Sequence, residues 1–178
     1  RTTLTVGYTV PVASGVRGQV VSFHDDSDVT VSLFADGSTQ PIYTAAVPAG
    51  EKSGGKYTAV YDIPEVAPGT YTMQVSKNKH VTREYTVTVS GDAKTQNAEI
   101  WLLGDVNGDG LINMTDASQI ERKFNGKTSV FDTGDAEIKA YRLKVANVYF
   151  SDDNINTTDA AQIKRYYNGK SSVLNAID

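Results

Sequence analysis

Asp105-Val106-Asn107-Gly108-Asp109-Gly110-Leu111-Ile112-Asn113-Met114-Thr115-Asp116 places oxygen-bearing side chains at the spacing of a calcium loop. Calcium takes six to eight oxygens at flexible angles. A twelve-residue loop supplies them from positions 1, 3 and 5, a main-chain carbonyl at 7, often through a water at 9, and a bidentate carboxylate at 12. Those positions hold Asp105, Asn107, Asp109, Leu111, Asn113 and Asp116. Gly110 stands at position 6, where the chain must turn sharply, and Ile112 at position 8 can anchor the loop to a core. An Asx-rich bend that binds nothing is the alternative, but such a bend has no need of a filled position 12.

From Asp116 the periodicity becomes helical. Ala117, Ile120 and Phe124 fall on one face, as do Ala160, Ile163 and Tyr167, and all are expected to point into a core. The match has a cause, because Thr115–Phe131 and Thr158–Leu174 agree at eleven of seventeen positions, displaced by 43 residues. Tandem duplication is the plain reading. The second loop departs from the first. Counting back from Asp159, Asp153 occupies the glycine position, and one inserted residue makes a thirteen-residue loop from Asn147 to Asp159. Its candidate ligands are Asn147, Asp152, Asn154, Asn156 and Asp159, with a loop that keeps the fold without metal as the alternative. Each loop is followed by a helix. Ahead of them the sequence offers only a strand-like Glu99–Leu103 and the short stretch Asp135–Val145, unlike paired calcium sensors with a helix on both sides.

Gly104-Asp-Val-Asn-Gly-Asp-Gly-Leu-Ile-Asn-Met-Thr-Asp-Ala-Ser-Gln-Ile-Glu-Arg-Lys-Phe-Asn-Gly126 and its repeat resemble a dockerin, over residues 103–174. The resemblance implies a duplicated, calcium-dependent loop–helix module that binds a cohesin within a cellulosome-type complex. It also implies which residues face the cohesin: Met114, Thr115, Glu121 and Arg122 in the first repeat, and Thr157, Thr158, Lys164 and Arg165 in the second. The change from Glu121 to Lys164 makes the two faces unequal.

Before Ser90 the chain reads as strands. Leu4–Val10, Val29–Phe34, Tyr57–Ile63, Tyr71–Ser76 and Glu84–Val89 are rich in Val, Thr and Tyr, separated by turn signals such as Ser53-Gly54-Gly55 and Ala67-Pro68-Gly69. Tyr71, Met73 and Val75 should share one face. The expected fold is an all-β, immunoglobulin-like antiparallel sandwich over residues 1–98, followed by a small all-α dockerin with two EF-hand-like repeats over 99–178. Val66–Gly91 resembles a carboxypeptidase-regulatory-like or related immunoglobulin-like module. Such modules, called X modules, commonly stand beside dockerins. No Pro- or Ser-rich linker separates the two parts, so they are expected to touch.

Composition narrows the function. Acidic and basic residues are nearly balanced in both parts, ten and eight up to Leu103 and eleven and nine beyond it, with no basic stripe to suit nucleic acid. No apolar run is long enough for a membrane span. Cysteine is absent, which excludes disulfides and thiolate chemistry and leaves bound metal as a staple for a small extracellular module. Arg1 has no Met before it, so the chain is expected to be an excised fragment; the resemblance to a dockerin implies a secreted bacterial parent and a monomer when unbound. His24 and His80 lack metal-ligand spacing, and His24–Asp28 suits an acidic turn better than a cation site. Tyr43, Tyr57, Tyr61 and Tyr71 suit strand packing better than a sugar platform. Lys164-Arg165-Tyr166-Tyr167 reads as a solvated helix edge with buried Tyr. No Gly-x-Ser-x-Gly, paired-His or phosphate-loop motif occurs, so the expectation is a non-enzymatic docking module. A carbohydrate-binding or adhesive sandwich tethered by the dockerin is the alternative.

Overall fold

The computed structural model describes residues 14–24, 26–150 and 154–177. The expected strand Leu4–Val10 lies outside them. Two sheets face each other in the first part. One runs β4 (Glu51–Ser53), β5 (Lys56–Pro64), β1 (Gly15–Phe23), β8 (Ala93–Thr95), with β9 (Ala98–Glu99) also on β1. The other runs β3 (Tyr43–Val47), β2 (Val29–Ala35), β6 (Gly69–Ser76), β7 (Arg83–Val89).

Alternation dictates the core. Tyr57, Ala59, Tyr61 and Ile63 on β5, Val29, Val31 and Leu33 on β2, and Tyr71, Met73 and Val75 on β6 all turn inward. That places three of the four tyrosines in the core, and Tyr43 packs edge-on against Tyr71, with ring centroids 6.0 Å apart. β8 and β9 run parallel to β1, so the sandwich is not purely antiparallel. After β7 the chain crosses to the opposite sheet and must lie alongside a strand that runs its own way.

The second part holds three helices of equal length: α1 (Met114–Phe124), α2 (Ala136–Ala146) and α3 (Thr157–Tyr167), with 3₁₀ turns at Val130–Asp132 and Val173–Ile177. The stretch before the second loop is thus a helix as long as the other two, and the second loop has a helix on each side. α1 and α3 pack together, burying Ala117, Ile120, Ala160 and Ile163 with Val106, Val148 and Leu174. Phe124 and Tyr167 do not join them. They are 58% and 57% exposed, because the last helical turn runs past the end of this small core. Tyr166, not Tyr167, packs against the core.

The expected strand Glu99–Leu103 is cut short after Glu99. Ile100 still donates its N–H to Val21 O and closes the sandwich core. Trp101 and Leu102 leave the sheet and form a bridging cluster with Phe23, Tyr141 and Val145. The Tyr141 hydroxyl donates to Val81 O at 2.7 Å and accepts the Trp101 N–H at 2.9 Å, so one side chain of α2 is bonded to both ends of the junction. Arg83–Glu137 at 3.6 Å adds a charged contact at the rim, where ion pairs contribute little. Tyr141→Phe should therefore lower stability by about 2 kcal/mol, since a buried N–H and C=O lose their partner together. Denaturant unfolding followed by tryptophan emission checks this, and an unchanged midpoint would contradict it. Among the described residues no helix is long and apolar enough to cross a membrane.

Candidate functional site

The first loop is organised by its own side chains. Asp105 Oδ1 accepts the N–H groups of Gly108 (2.9 Å) and Asp109 (3.1 Å), and its Oδ2 accepts that of Gly110 (2.8 Å). Asn107 Oδ1 takes the Asp109 N–H, Asp109 Oδ1 takes the Leu111 N–H, and Asn107 Nδ2 donates to Asp109 Oδ2 at 2.7 Å. Asp116 closes the ring from the other end. Its Oδ1 accepts from Val106 and Asn107, and its Oδ2 from the Asn113 N–H at 2.9 Å, while the Asn113 side chain caps α1. Asp116 thus belongs to both the loop and the helix cap.

Asp105 and Asp116 are fully buried. Burial pushes the Asp105 carboxyl up to about 7, helped by the Asp116 and Asp109 charges and opposed by the Gly110 and Gly108 N–H groups. Burial likewise raises Asp116 to about 6, with Asp109 adding to it and the Asn113, Asn107 and Val106 N–H groups opposing. Three acids sharing one small loop without a counter-charge is an unfavourable arrangement that a bound cation relieves. Among the described residues no three or more His, Cys, Asp or Glu side chains gather into a metal cluster. A divalent ion here would therefore draw also on the Asn107 and Asn113 amides and the Leu111 carbonyl. That mixed set of carboxylate, amide and main-chain oxygens suits calcium.

The second loop repeats the closing bonds, while Asp152 and Asp153 lie outside the described residues. Asp159 is buried; its Oδ1 accepts the N–H groups of Val148 (3.0 Å) and Tyr149 (2.9 Å), and its Oδ2 that of Asn156 (2.9 Å). Asp116 takes the residues ten and nine before it, whereas Asp159 takes those eleven and ten before it. Val148 thus stands where Val106 stands, Asn147 aligns with Asp105, and the loop is one residue longer. Asn147 ends α2 and Asn156 caps α3. Asn154 is exposed, and its carbonyl accepts from Asn156 Nδ2. Asp152, a candidate ligand, lies outside the described residues, and Phe150 beside it is 73% exposed.

Met114, Thr115, Thr157 and Thr158 are exposed at the starts of α1 and α3. The helix residues assigned to a partner face also have internal partners. Glu121 and Lys164, equivalent positions of the two repeats, pair with each other across the helices. Arg122 Nε donates to Thr128 O and Arg165 Nε to Ser171 O, each bracing the turn after its own helix, with both side chains still exposed. Sequence reasoning missed this mutual pair, although the 43-residue offset between two residues of opposite charge was visible.

His80 is structural. Its Nε2 accepts the Phe23 N–H at 3.0 Å and its Nδ1 lies 2.6 Å from Asn78 O. His24 is exposed with φ 68°, and Asp25 of the acidic turn lies outside the described residues.

The first loop lies within a match to a known family. The family model of the dockerin type I domain matches residues 103–139, which hold the first loop, α1 and the start of α2. No curated protein matches the chain. Among solved structures, an N-terminal interface mutant of a type II cohesin–X-dockerin complex from Acetivibrio cellulolyticus is 23% identical, over 86% of this chain and 94% of that one, with a TM-score of 0.36. A C-terminal interface mutant of the same complex is 22% identical over the same shares, also with a TM-score of 0.36. Over residues 103–139 the chain is thus similar to a dockerin type I domain.

Proposed function

We infer that this chain is a calcium-dependent docking fragment: a dockerin, residues 99–178, binds a cohesin and anchors its parent protein in an extracellular, cellulosome-type complex of a bacterium. The preceding sandwich, residues 1–98, supports the dockerin. The observation that carries the reading is the duplicated loop–helix unit, which buries Asp105, Asp116 and Asp159 and exposes Met114-Thr115 and Thr157-Thr158 beside them. Asp105, Asn107, Asp109, Leu111, Asn113 and Asp116 would hold one calcium ion. Asn147, Asp152, Asn154, Asn156 and Asp159 would hold a second, more weakly, because a neutral amide replaces the first carboxylate. Calcium supplies the positive charge that draws the dispersed oxygens together, which couples binding to folding. The chain's own residues then hold α1 and α3 in fixed relation and present one face.

That face is unequal about the repeat axis. Turning the module by half a turn exchanges Glu121 with Lys164, so a cohesin matched to one orientation meets the opposite charge order in the other, and like charges opposed at an interface are costly. One dominant orientation follows, with α3 leading. Retention of the chain on immobilised type I or type II cohesin in calcium, and its release in EDTA, tests the function. Retention by neither, or retention indifferent to EDTA, would contradict it. Lys164→Glu with Arg165→Glu should weaken binding about tenfold or more, and Arg122→Glu far less. Arg165→Glu alone serves as control, since reversing Lys164 also places two carboxylates together. Equal losses from either repeat would rule out the single orientation.

A further inference from the structure

The first loop rests on the sandwich. Gly108 (φ 77°) and Gly110 (φ 86°) take left-handed backbone, and each lies against an aromatic ring. A Cβ added at Gly108 would stand 2.6 Å from the Trp101 indole, and one at Gly110 would stand 2.3 Å from the Phe23 ring. Left-handed backbone does not by itself bring a ring so close. At Gly37, Gly54, Gly126 and Gly169, equally left-handed, an added Cβ would meet nothing within 4 Å.

Both rings are fixed from behind. Phe23 closes β1, is almost fully buried, and has its N–H held by His80. Trp101 has its N–H on the Tyr141 hydroxyl, and its ring centroid lies 5.4 Å from that of Tyr141, tilted by 55°. Ile112, at loop position 8, packs against the same cluster. Among its described residues the second loop has no counterpart. No glycine occurs between Asn147 and Asp159, and Phe150 there is exposed.

Resting on the calcium reading above, we propose that Phe23 and Trp101 are positioning residues of the first loop, so that the sandwich sets the calcium affinity of that loop and not of the second. The turn from Gly108 to Gly110 brings positions 1, 3 and 5 to one side. Repulsion among Asp105, Asp109 and Asp116 would open this turn in the absence of an ion. Two immobile ring faces hold it nearly closed, which lowers the ordering cost met on binding. Neither ring offers a ligand atom. Their contribution is shape, and that of Phe23 comes from a strand more than eighty residues away in sequence.

Trp101 is the only tryptophan in the chain, so its emission reads the shelf directly. Calcium titrated into the chelator-stripped full chain should shift tryptophan emission in step with calorimetric binding at the first loop, identified as the site lost in Asp109→Ala. Phe23→Ala should weaken that site about tenfold to a hundredfold, the range typical of groups that orient metal ligands. Phe23→Leu should fall between it and the parent, and any second-loop affinity should stay unmoved. A strand signal retained in circular dichroism separates this from loss of the sandwich, and Phe23→Leu decides the matter should Phe23→Ala fail to fold. Calcium binding by the parent with silent tryptophan emission, or with Phe23→Leu binding as tightly as the parent, would overturn the shelf and leave the calcium reading standing. No calcium binding by the parent would overturn both.

Discussion

Asp116→Ala is expected to abolish tight calcium binding at the first loop and to loosen α1 at the same time. The side chain takes three main-chain N–H groups, from Val106, Asn107 and Asn113, in a buried setting. Leaving buried donors unpaired costs about 1–3 kcal/mol each. Loss of a helix cap of this kind costs about 1 kcal/mol. Even about 3 kcal/mol of this falling on the bound state is about a hundredfold in affinity, before the missing bidentate carboxylate is counted. Asp116→Asn separates the two roles. It keeps an oxygen for the cap but removes the charge, so α1 should survive while calcium affinity still falls. Asp152→Ala should do less than either, because its loop lacks the first carboxylate. Calorimetric titration with helical circular dichroism as the companion signal checks the series. Calcium affinity unaltered in Asp116→Asn would remove this residue from the ligand set.

The first loop could be read from the sequence because its chemistry is local. Ligands two residues apart, a glycine at the turn and a carboxylate at the end need no knowledge of the rest of the chain. Strands with strict alternation, such as Lys56–Pro64 with Tyr57, Ala59, Tyr61 and Ile63 inward, were legible for the same reason. β1 was not. Its pattern is broken by Gly15, Arg17, Gly18 and Gln19, yet it lies at the centre of its sheet, flanked by β5 on one side and β8 and β9 on the other. Helical period placed Phe124 and Tyr167 with the core residues, yet both are exposed, since period does not say whether anything covers a side chain. The junction was the least legible part. The bonds that make it, Trp101 to Tyr141 and Tyr141 to Val81, join residues forty and sixty positions apart. The pairing of Glu121 with Lys164 depends on how two repeats fold upon each other, which no single repeat encodes.

In chelator, the helical part is expected to become less stable as the pH rises, and in calcium to hold nearly level. The chelated loop keeps Asp105 raised to about 7 and Asp116 to about 6, mainly by burial, against an ordinary carboxylate value of 3.8. A carboxyl raised in the folded state favours folding while it is protonated. That contribution is full below the ordinary value, where folded and unfolded chains both hold the proton. It is lost as pH climbs through the window to about 6 for Asp116 and about 7 for Asp105. A tenfold change in proton affinity corresponds to about 1.4 kcal/mol, so the pair should cost the chelated protein on the order of 2–4 kcal/mol between about pH 5 and about pH 8. Calcium removes the slope because it displaces protons from the same oxygens. Saturating ion should add about 4 kcal/mol at a thousandfold excess over the dissociation constant, and most of that advantage should appear above neutrality. Thermal melts at several pH values, with and without EDTA, give two curves that diverge towards high pH. The sandwich, whose strands carry no comparable group of buried acids among the described residues, should melt independently of both variables except where Phe23 meets the loop. A chelated curve that rises with pH, or one that runs parallel to the calcium curve, would show that these carboxyls do not share the loop in the way described.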